Sequence, residues 1–236
     1  MPPASGERTV DAPLVDRPAV IPLRGSTPVT SLRPPSTPTG FAGSARSAGH
    51  GDGLALVRGT LAHEAIRVWF ATGTRPDLRP LLGRLHAAAD DPTALRALAE
   101  VDEMLDRFDG SELAQVLRRP GTRAHFELPF GWYWDGAPVH GTIDLAYEHE
   151  GRWHLVDFKT DDVTRRRLKQ ASAPYLGQIA LYAGALQEAV GHAPAASLHF
   201  LRPGASYLPD ADELRQALTA TRSRIDAGEL LTETVP

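Results

Sequence analysis

The sequence contains no cysteine among its 236 residues. This absence excludes disulfide frameworks, iron–sulfur clusters, cysteine-ligated zinc and thiol nucleophiles, so any bound metal must have oxygen or imidazole ligands. Lysine is almost absent as well: Lys159 and Lys169 are the only lysines among 25 basic residues, and the other 23 are arginines. Neither lysine follows a glycine-rich turn, which excludes a Walker A nucleotide-binding loop.

Long hydrophobic runs are also missing. No stretch reaches the roughly 18 apolar residues of a membrane-spanning helix, and the N-terminus lacks the basic-then-apolar pattern of a secretory signal. We therefore expect a soluble, cytoplasmic protein without membrane contact. The net charge of −4 and the isoelectric point near 6.1 give no overall attraction for nucleic acid, so such binding would need a local basic patch.

Proline divides the chain into two parts. Nine of the 20 prolines fall in the first 50 residues, which predicts a mostly irregular, linker-like arm over residues 1–53. Residues 54–236 read as one domain that starts with a helix capped at Gly59 or Thr60 and carries a helical insertion at about 77–118. The later elements are predicted as strands at 122–134, 138–148 and 152–159, helices at 163–170 and 175–190, a strand at 197–201 and a helix at 211–227.

Three carboxylates are predicted to lie side by side on the first three strands. If both hairpins have two-residue turns, at 135–136 and 150–151, the register places Glu127 opposite Asp144 and Asp144 opposite Asp157. Directly opposed like charges repel each other, and a cation would let them stay ionised. Without cysteine, the oxygen ligands favour Mg²⁺, Mn²⁺ or Ca²⁺. The alternative is three acids on an exposed sheet face.

The third strand ends in the segment Asp-Phe-Lys-Thr. Strand alternation puts Asp157 and Lys159 on the same face. A lysine here, in a chain that otherwise uses arginine, suggests a chemical role, because its compact ammonium can orient an attacking water. A salt bridge from Lys159 to Asp144 or Asp157 is the alternative reading.

Four segments together resemble a known family. They are GTLAHEA around His63, HGTIDLAY around Asp144, LVDFKTD with Asp157 and Lys159, and YLGQIALYAGAL with Gln178 and Tyr182. In this order they resemble the motifs of the PD-(D/E)XK phosphodiesterases, and most of all the RecB-like nuclease domain of AddA-type helicase-nucleases. The resemblance covers about residues 54–205. It implies an α/β, restriction-endonuclease-like core: a mixed central sheet in α-β-β-β-α-β order, flanked by helices.

The resemblance also implies roles for individual residues. His63, Asp144, Asp157 and the backbone oxygen of Phe158 would bind Mg²⁺ or Mn²⁺. Asp144, Asp157, Lys159, Gln178 and Tyr182 would form the catalytic set, and Glu127 would lie just outside the ligands. Two alternatives remain open: a lone histidine on an apolar helix is usually a core residue, and residues four apart on a helix can form a buried polar–aromatic pair.

The implied function is a Mg²⁺-dependent DNA nuclease, an exonuclease more than an endonuclease, acting in double-strand break repair and recombination with a helicase partner or parent chain. The basic run of Arg165, Arg166, Arg167 and Lys169 would hold DNA phosphates with little sequence specificity. The absence of cysteine excludes the iron–sulfur branches of the family. Two alternatives are a catalytically silent DNA-binding or structural module of a helicase-nuclease complex, and a metal-dependent hydrolase with a non-nucleic substrate.

Overall fold

A computed structural model describes residues 27–28, 50–85, 91–134 and 136–226. Two short 3-10 turns, at Arg165–Arg167 and Ala173–Tyr175, precede helices of the second half. The other elements are, in chain order, β1 (Thr27–Pro28), α1 (His50–Thr72), α2 (Leu78–Arg84), α3 (Pro92–Asp109), α4 (Glu112–Leu117), β2 (Arg123–Trp134), β3 (Ala137–His149), β4 (Arg152–Lys159), α5 (Leu168–Ser172), α6 (Leu176–Val190), β5 (Ala195–Phe200), β6 (Ala205–Tyr207) and α7 (Ala211–Asp226).

Helix α1 begins earlier than the sequence pattern predicts. It starts at His50, so the predicted caps Gly59 and Thr60 lie inside the helix. No proline interrupts residues 50–72, and the buried Ala55 extends the packed face of the helix toward its start. The last four residues of the predicted arm are therefore helical, and most of the arm lies outside the described residues.

The helical insertion at 77–118 is formed by α2, α3 and α4. Each begins at a polar side chain that accepts a backbone N–H: Asp77, Asp91 and Ser111 act as the N-caps. One further helix is misplaced by the sequence pattern. The predicted helix at 163–170 is a 3-10 turn followed by the short helix α5, because Thr164 keeps an extended backbone and provides no side-chain cap.

The strands form one mixed sheet. Its order is β1-β3-β4-β5-β6, with β2 also paired to β3. Strands β2, β3 and β4 are antiparallel neighbours, whereas β4 and β5 run parallel through the crossover that contains α6. The predicted registers are confirmed, since Phe126 pairs with Leu145 and Leu145 pairs with Val156. Strands β1 and β6 were not predicted.

The β2–β3 ladder switches faces at one position. Phe126 and its partner Leu145 pack in a cluster with helices α1 to α4. Leu128 and its partner Ile143 pack instead with α6 and α7. Residues two apart on a regular strand face the same side, so both strands reverse between these pairs. On β2 the reversal occurs at Glu127, whose φ is 50°.

The two faces of the sheet carry separate hydrophobic clusters. One is built from α1, α3 and α4 with residues such as Leu61, Phe108 and Phe158; the other is built from α6 with Tyr182 and Phe200. Within the part of the chain that the structure describes, no helix combines the length and the apolar character needed to cross a bilayer.

Helix α6 approaches β2 at Gly184. A Cβ at this position would lie 2.6 Å from Cη2 of Trp132, a ring that stacks on Trp134. Gly184→Ala is expected to lower the free energy of unfolding by about 1–3 kcal/mol through overpacking. Urea denaturation measures this change in the free energy of unfolding. The matched control is Gly83→Ala in α2, where an added Cβ meets nothing within 4 Å and should stabilise by up to about 1 kcal/mol. Equal midpoint shifts for the two variants would contradict the contact.

Candidate active site

A cavity of about 230 Å³ lies between the first half of α1, the central strands and α6. It opens where β2 and β3 switch faces, and residues from three strands and two helices meet there. The residues predicted from the sequence as catalytic, as metal-binding or, for Glu127, as lying just outside the ligands all line it. They are His63, Glu127, Asp144, Asp157, Phe158, Lys159, Gln178 and Tyr182.

Asp144 connects α1 to β4. The regular pairing of β3 with β4 ends at Leu145 and Val156, one pair short of the predicted opposition of Asp144 and Asp157. Instead, the Asp144 side chain takes the place of a backbone partner, and its Oδ2 accepts the N–H of Phe158 at 2.7 Å. Its other oxygen, Oδ1, lies 3.5 Å from His63 Nδ1. Because β3 changes faces at this position, the Asp144 carboxylate points toward α1.

His63 reaches the same point from α1. Its Nε2 lies 3.2 Å from the carbonyl oxygen of Phe158, and its Nδ1 lies 4.0 Å from Glu127 Oε1. His63, Glu127 and Asp144 each offer one ligand atom, and these atoms lie within 4.8 Å of one another. Imidazole and carboxylate donors at this spacing suit a hard divalent cation. Glu127, predicted just outside the ligands, thus lies among the candidate ligands.

Asp157 is held differently. Its Oδ2 lies 2.5 Å from Lys159 Nζ, and it is not part of the three-residue ligand group. The ammonium also donates to Gln178 Oε1 at 3.3 Å, and Gln178 Nε2 donates to the Tyr182 hydroxyl at 2.9 Å. Asp157 is 2% exposed and Lys159 is 6% exposed. The reading of these acids as an exposed surface row is therefore wrong for Asp157.

A buried ion pair of this kind is rarely retained for stability alone. Removing two charges from water costs several kcal/mol per ion, and their attraction offsets this only in good geometry. Apolar side chains of similar size would stabilise the fold at least as well. The Asp157–Lys159 pair lines a cavity and contacts the polar side chain of Gln178, which is the character of a functional site.

The electrostatics of the cavity are dominated by the carboxylates. Burial raises the pKa of Asp157 to about 6, with Lys159 opposing the shift and Asp144 adding to it. Burial favours the neutral form of His63, but Asp144, Glu127 and Asp157 outweigh it and raise the pKa of the imidazole to about 9. For Asp144, burial is outweighed by His63 and Lys159, and its pKa is lowered. The site is thus a buried centre that attracts positive charge.

The basic run at 165–169 lies outside the cavity. Its side chains are exposed, and three of them contact neighbouring protein groups. Arg167 Nε donates to Gln170 Oε1 at 3.2 Å. Lys169 Nζ lies 2.8 Å from Glu213 Oε1, and Arg165 Nε donates to the carbonyl of Pro203 at 3.2 Å. The structure therefore does not bring these residues together with the carboxylates.

A buried tyrosine beside Lys159 was not singled out from the sequence as part of the site. Tyr175 is 1% exposed, and its ring centre lies 4.2 Å from Lys159 Nζ. It precedes Tyr182 by seven residues, which is close to two helical turns. The same spacing argument that relates Gln178 to Tyr182 could have placed Tyr175 on this face.

Comparisons with known proteins concern the family and the fold. Residues 44–234 match the sequence profile of the PD-(D/E)XK nuclease superfamily, and no protein with a curated description matches the chain. The crystal structure of a candidate exonuclease from Eubacterium rectale is similar, with a TM-score of 0.59 at 11% identity over 90% of this chain and 84% of that one. SSO0001 is more distant, with a TM-score of 0.37 at 14% identity over 86% and 78% of the two chains.

The likeness to the Eubacterium rectale structure shows a shared fold. It agrees with the predicted α/β core, in which α1, the β2–β4 meander, α6 and β5 follow one another in the α-β-β-β-α-β order. The profile match extends over most of the sequence and includes every residue that lines the cavity. The chain therefore belongs to the PD-(D/E)XK nuclease superfamily.

Proposed function

We propose that this nuclease is a Mg²⁺-dependent deoxyribonuclease of the RecB-like, AddA type, and that it degrades DNA ends as an exonuclease during break repair alongside a helicase. The observation that carries the proposal is the buried Asp157–Lys159 pair beside His63 and Asp144 in one cavity. The filled acid, acid and lysine positions favour an enzyme over a silent DNA-binding module.

Divalent metals are the cofactors of this family, and the donors here fit them. His63, Asp144, Asp157 and the carbonyl of Phe158 are our proposed ligands for Mg²⁺ or Mn²⁺, with Glu127 close enough to join them. A bound divalent cation supplies positive charge for the phosphoryl oxygens and makes water more acidic. The His63 ring contacts the Phe158 carbonyl and faces Asp144, so α1 sets the spacing of this donor set.

The side chains on the α6 side have a different task. Lys159 carries an ammonium that would orient the attacking water and balance charge as the phosphodiester is cleaved. Gln178 holds this ammonium through its carbonyl oxygen, and Tyr182 accepts a hydrogen bond from the Gln178 amide. The chain Lys159–Gln178–Tyr182 thus anchors the lysine to α6. The exposed run Arg165, Arg166, Arg167 and Lys169 is our proposed contact for DNA phosphates.

The proposed function is tested with linear and circular DNA, single- and double-stranded, incubated with Mg²⁺, Mn²⁺ or EDTA. We expect linear DNA to be lost only when a divalent metal is present, and circular DNA to persist. Cleavage of circular DNA in the presence of a divalent metal would show that the enzyme is an endonuclease and not an exonuclease. Retardation of DNA in a gel without loss, in every metal, would support the silent binding module and overturn the proposal.

Metal binding is expected to release about one proton from His63. Because its pKa is about 9 in the metal-free protein, the imidazole is protonated at pH 7.5 and must lose that proton to become a ligand. The apparent affinity should therefore rise about tenfold per pH unit up to about pH 9. Titration calorimetry in buffers of different ionisation enthalpy measures the released proton. The His63→Asn variant is the control, and proton release that is unchanged in it would contradict the assignment.

A further inference from the structure

The Lys159 ammonium is surrounded by three different groups. An ammonium carries three N–H donors. Nζ lies 2.5 Å from Asp157 Oδ2, 3.3 Å from Gln178 Oε1 and 4.2 Å from the ring centre of Tyr175. Lys159 is 6% exposed, and a cation meets an aromatic face most favourably where water is excluded. The tyrosine ring is therefore the third partner of the ammonium.

The Tyr175 ring is fixed at both ends. Its backbone closes the 3-10 turn Ala173–Tyr175 and leads directly into α6. Its hydroxyl donates to both carboxylate oxygens of Asp161, at 2.8 and 2.9 Å. Asp161 lies two residues beyond Lys159, where the chain leaves β4. Hydrogen bonds in series polarise one another, so this carboxylate makes the ring a better partner for the ammonium.

We propose that Tyr175 is a positioning residue that holds the Lys159 ammonium with its ring face, and that Asp161 orients this ring. The proposal rests on the proposed function, because it deepens the role of Lys159 in the same site. A lysine side chain has four rotatable bonds, so a single contact leaves the position of Nζ poorly defined. The ring of Tyr175 and the Gln178 amide hold Nζ from two further directions beside Asp157. Tyr175 does not reach the surface, so DNA affinity should not depend on it.

The rarity of lysine permits a test that does not require activity. Protein labelled with ¹³C at lysine Cε shows two signals, one from Lys159 and one from Lys169, which is exposed and serves as the reference. Lys169→Arg assigns them. We expect the Lys159 methylene protons to be shifted upfield by the Tyr175 ring current, to keep most of that shift in Tyr175→Phe, which retains the ring but loses the contact with Asp161, and to move to the reference position in Tyr175→Leu. A wild-type Lys159 signal at the reference position would overturn the proposal.

Single-turnover cleavage tests the consequence for the reaction. Tyr175→Leu should lower the maximal single-turnover rate about 10- to 30-fold while the concentration for half-maximal rate stays unchanged, whereas Tyr175→Phe should stay within about threefold of wild type because it keeps the ring. A folded Tyr175→Leu protein with the wild-type rate would overturn the positioning role.

Two other outcomes need a separate experiment or readout: a Tyr175→Leu variant that does not fold, and a wild-type protein that does not cleave DNA. If Tyr175→Leu does not fold, Asp161→Asn replaces it, since this half-buried side chain only orients the ring. As in Tyr175→Phe, which also loses the contact with Asp161, we expect the Lys159 signal to move partway toward the reference and the rate to fall by up to about threefold. An unchanged Lys159 signal would contradict the orienting role of Asp161. If the wild-type protein cleaves no DNA with any metal, the proposed nuclease assignment to DNA fails, and the lysine signals still decide whether Tyr175 holds Lys159.

Discussion

Lys159→Met is expected to lower the single-turnover rate of DNA cleavage by about 10²- to 10⁴-fold, the range associated with a positioned acid–base group. Methionine keeps most of the volume of the lysine stem but removes the ammonium that contacts Asp157 and Gln178. DNA binding, measured by fluorescence anisotropy in EDTA, should change little because Lys159 is buried. The matched control is Lys169→Met, which should weaken DNA binding and leave the rate at saturating DNA near wild type.

Stability has to be separated from catalysis in this experiment. Removal of Lys159 leaves the Asp157 carboxyl buried without its cation, a change that typically costs about 3–5 kcal/mol. The double variant Asp157→Asn/Lys159→Met removes both charges and should recover most of that stability without recovering cleavage. Restored cleavage in the double variant would show that the first loss came from misfolding and would contradict the catalytic role.

Asp144→Asn is expected to remove several kcal/mol of transition-state stabilisation, on the order of 10³-fold in rate. The asparagine oxygen can still accept the Phe158 N–H, so the end of the β3–β4 ladder should persist. What is lost is the negative charge that faces His63 and would bind the cation. Metal titration followed by calorimetry measures the affinity, and single-turnover cleavage measures the rate.

Glu127→Gln provides the graded comparison for Asp144→Asn. If Glu127 acts from just outside the ligands, its loss should weaken metal binding only about 10- to 100-fold. A loss as large as that of Asp144→Asn would make Glu127 a ligand, in line with the short distances among His63, Glu127 and Asp144. Wild-type metal affinity in Asp144→Asn would contradict the proposed metal site itself.

The register of the central strands could be predicted because it is fixed by local chemistry. Both hairpins turn through a glycine with positive φ, Gly136 at 80° and Gly151 at 72°. Two-residue turns of this type determine which residues face each other. The pairing of Phe126 with Leu145 and of Leu145 with Val156 follows from these turns alone.

The face switch at Glu127 and Asp144 could not be predicted in this way. A glutamate at φ 50° is held by its surroundings and not by its own preference. Strand alternation therefore placed the three carboxylates in one row, whereas the structure directs Asp144 to α1 and Asp157 to Lys159. The sequence pattern therefore identifies the residues that line the site, whereas tertiary packing determines which of them contact one another.

Two other differences between the sequence prediction and the structure also arise from tertiary packing. Helix α1 starts at His50 and buries Ala55 ahead of the predicted cap. A glycine and a threonine inside a helix resemble a cap when the preceding segment is rich in proline. The contact between Tyr175 and Lys159 joins residues 16 positions apart in chain order, across the exit of β4 and the 3-10 turn before α6. No spacing rule for one strand or one helix reaches across such a junction.

We propose that Asp144, Asp157 and Lys159 form the centre that cleaves DNA with a divalent metal. The most direct test of this proposal is single-turnover cleavage of linear DNA by wild-type protein and by Asp157→Asn, both at saturating DNA, with Mg²⁺ and with EDTA. We predict that the wild-type protein cleaves only with Mg²⁺ and that Asp157→Asn binds DNA without cleaving it in either condition. Cleavage by Asp157→Asn at the wild-type rate, or wild-type cleavage that persists in EDTA, would contradict the account.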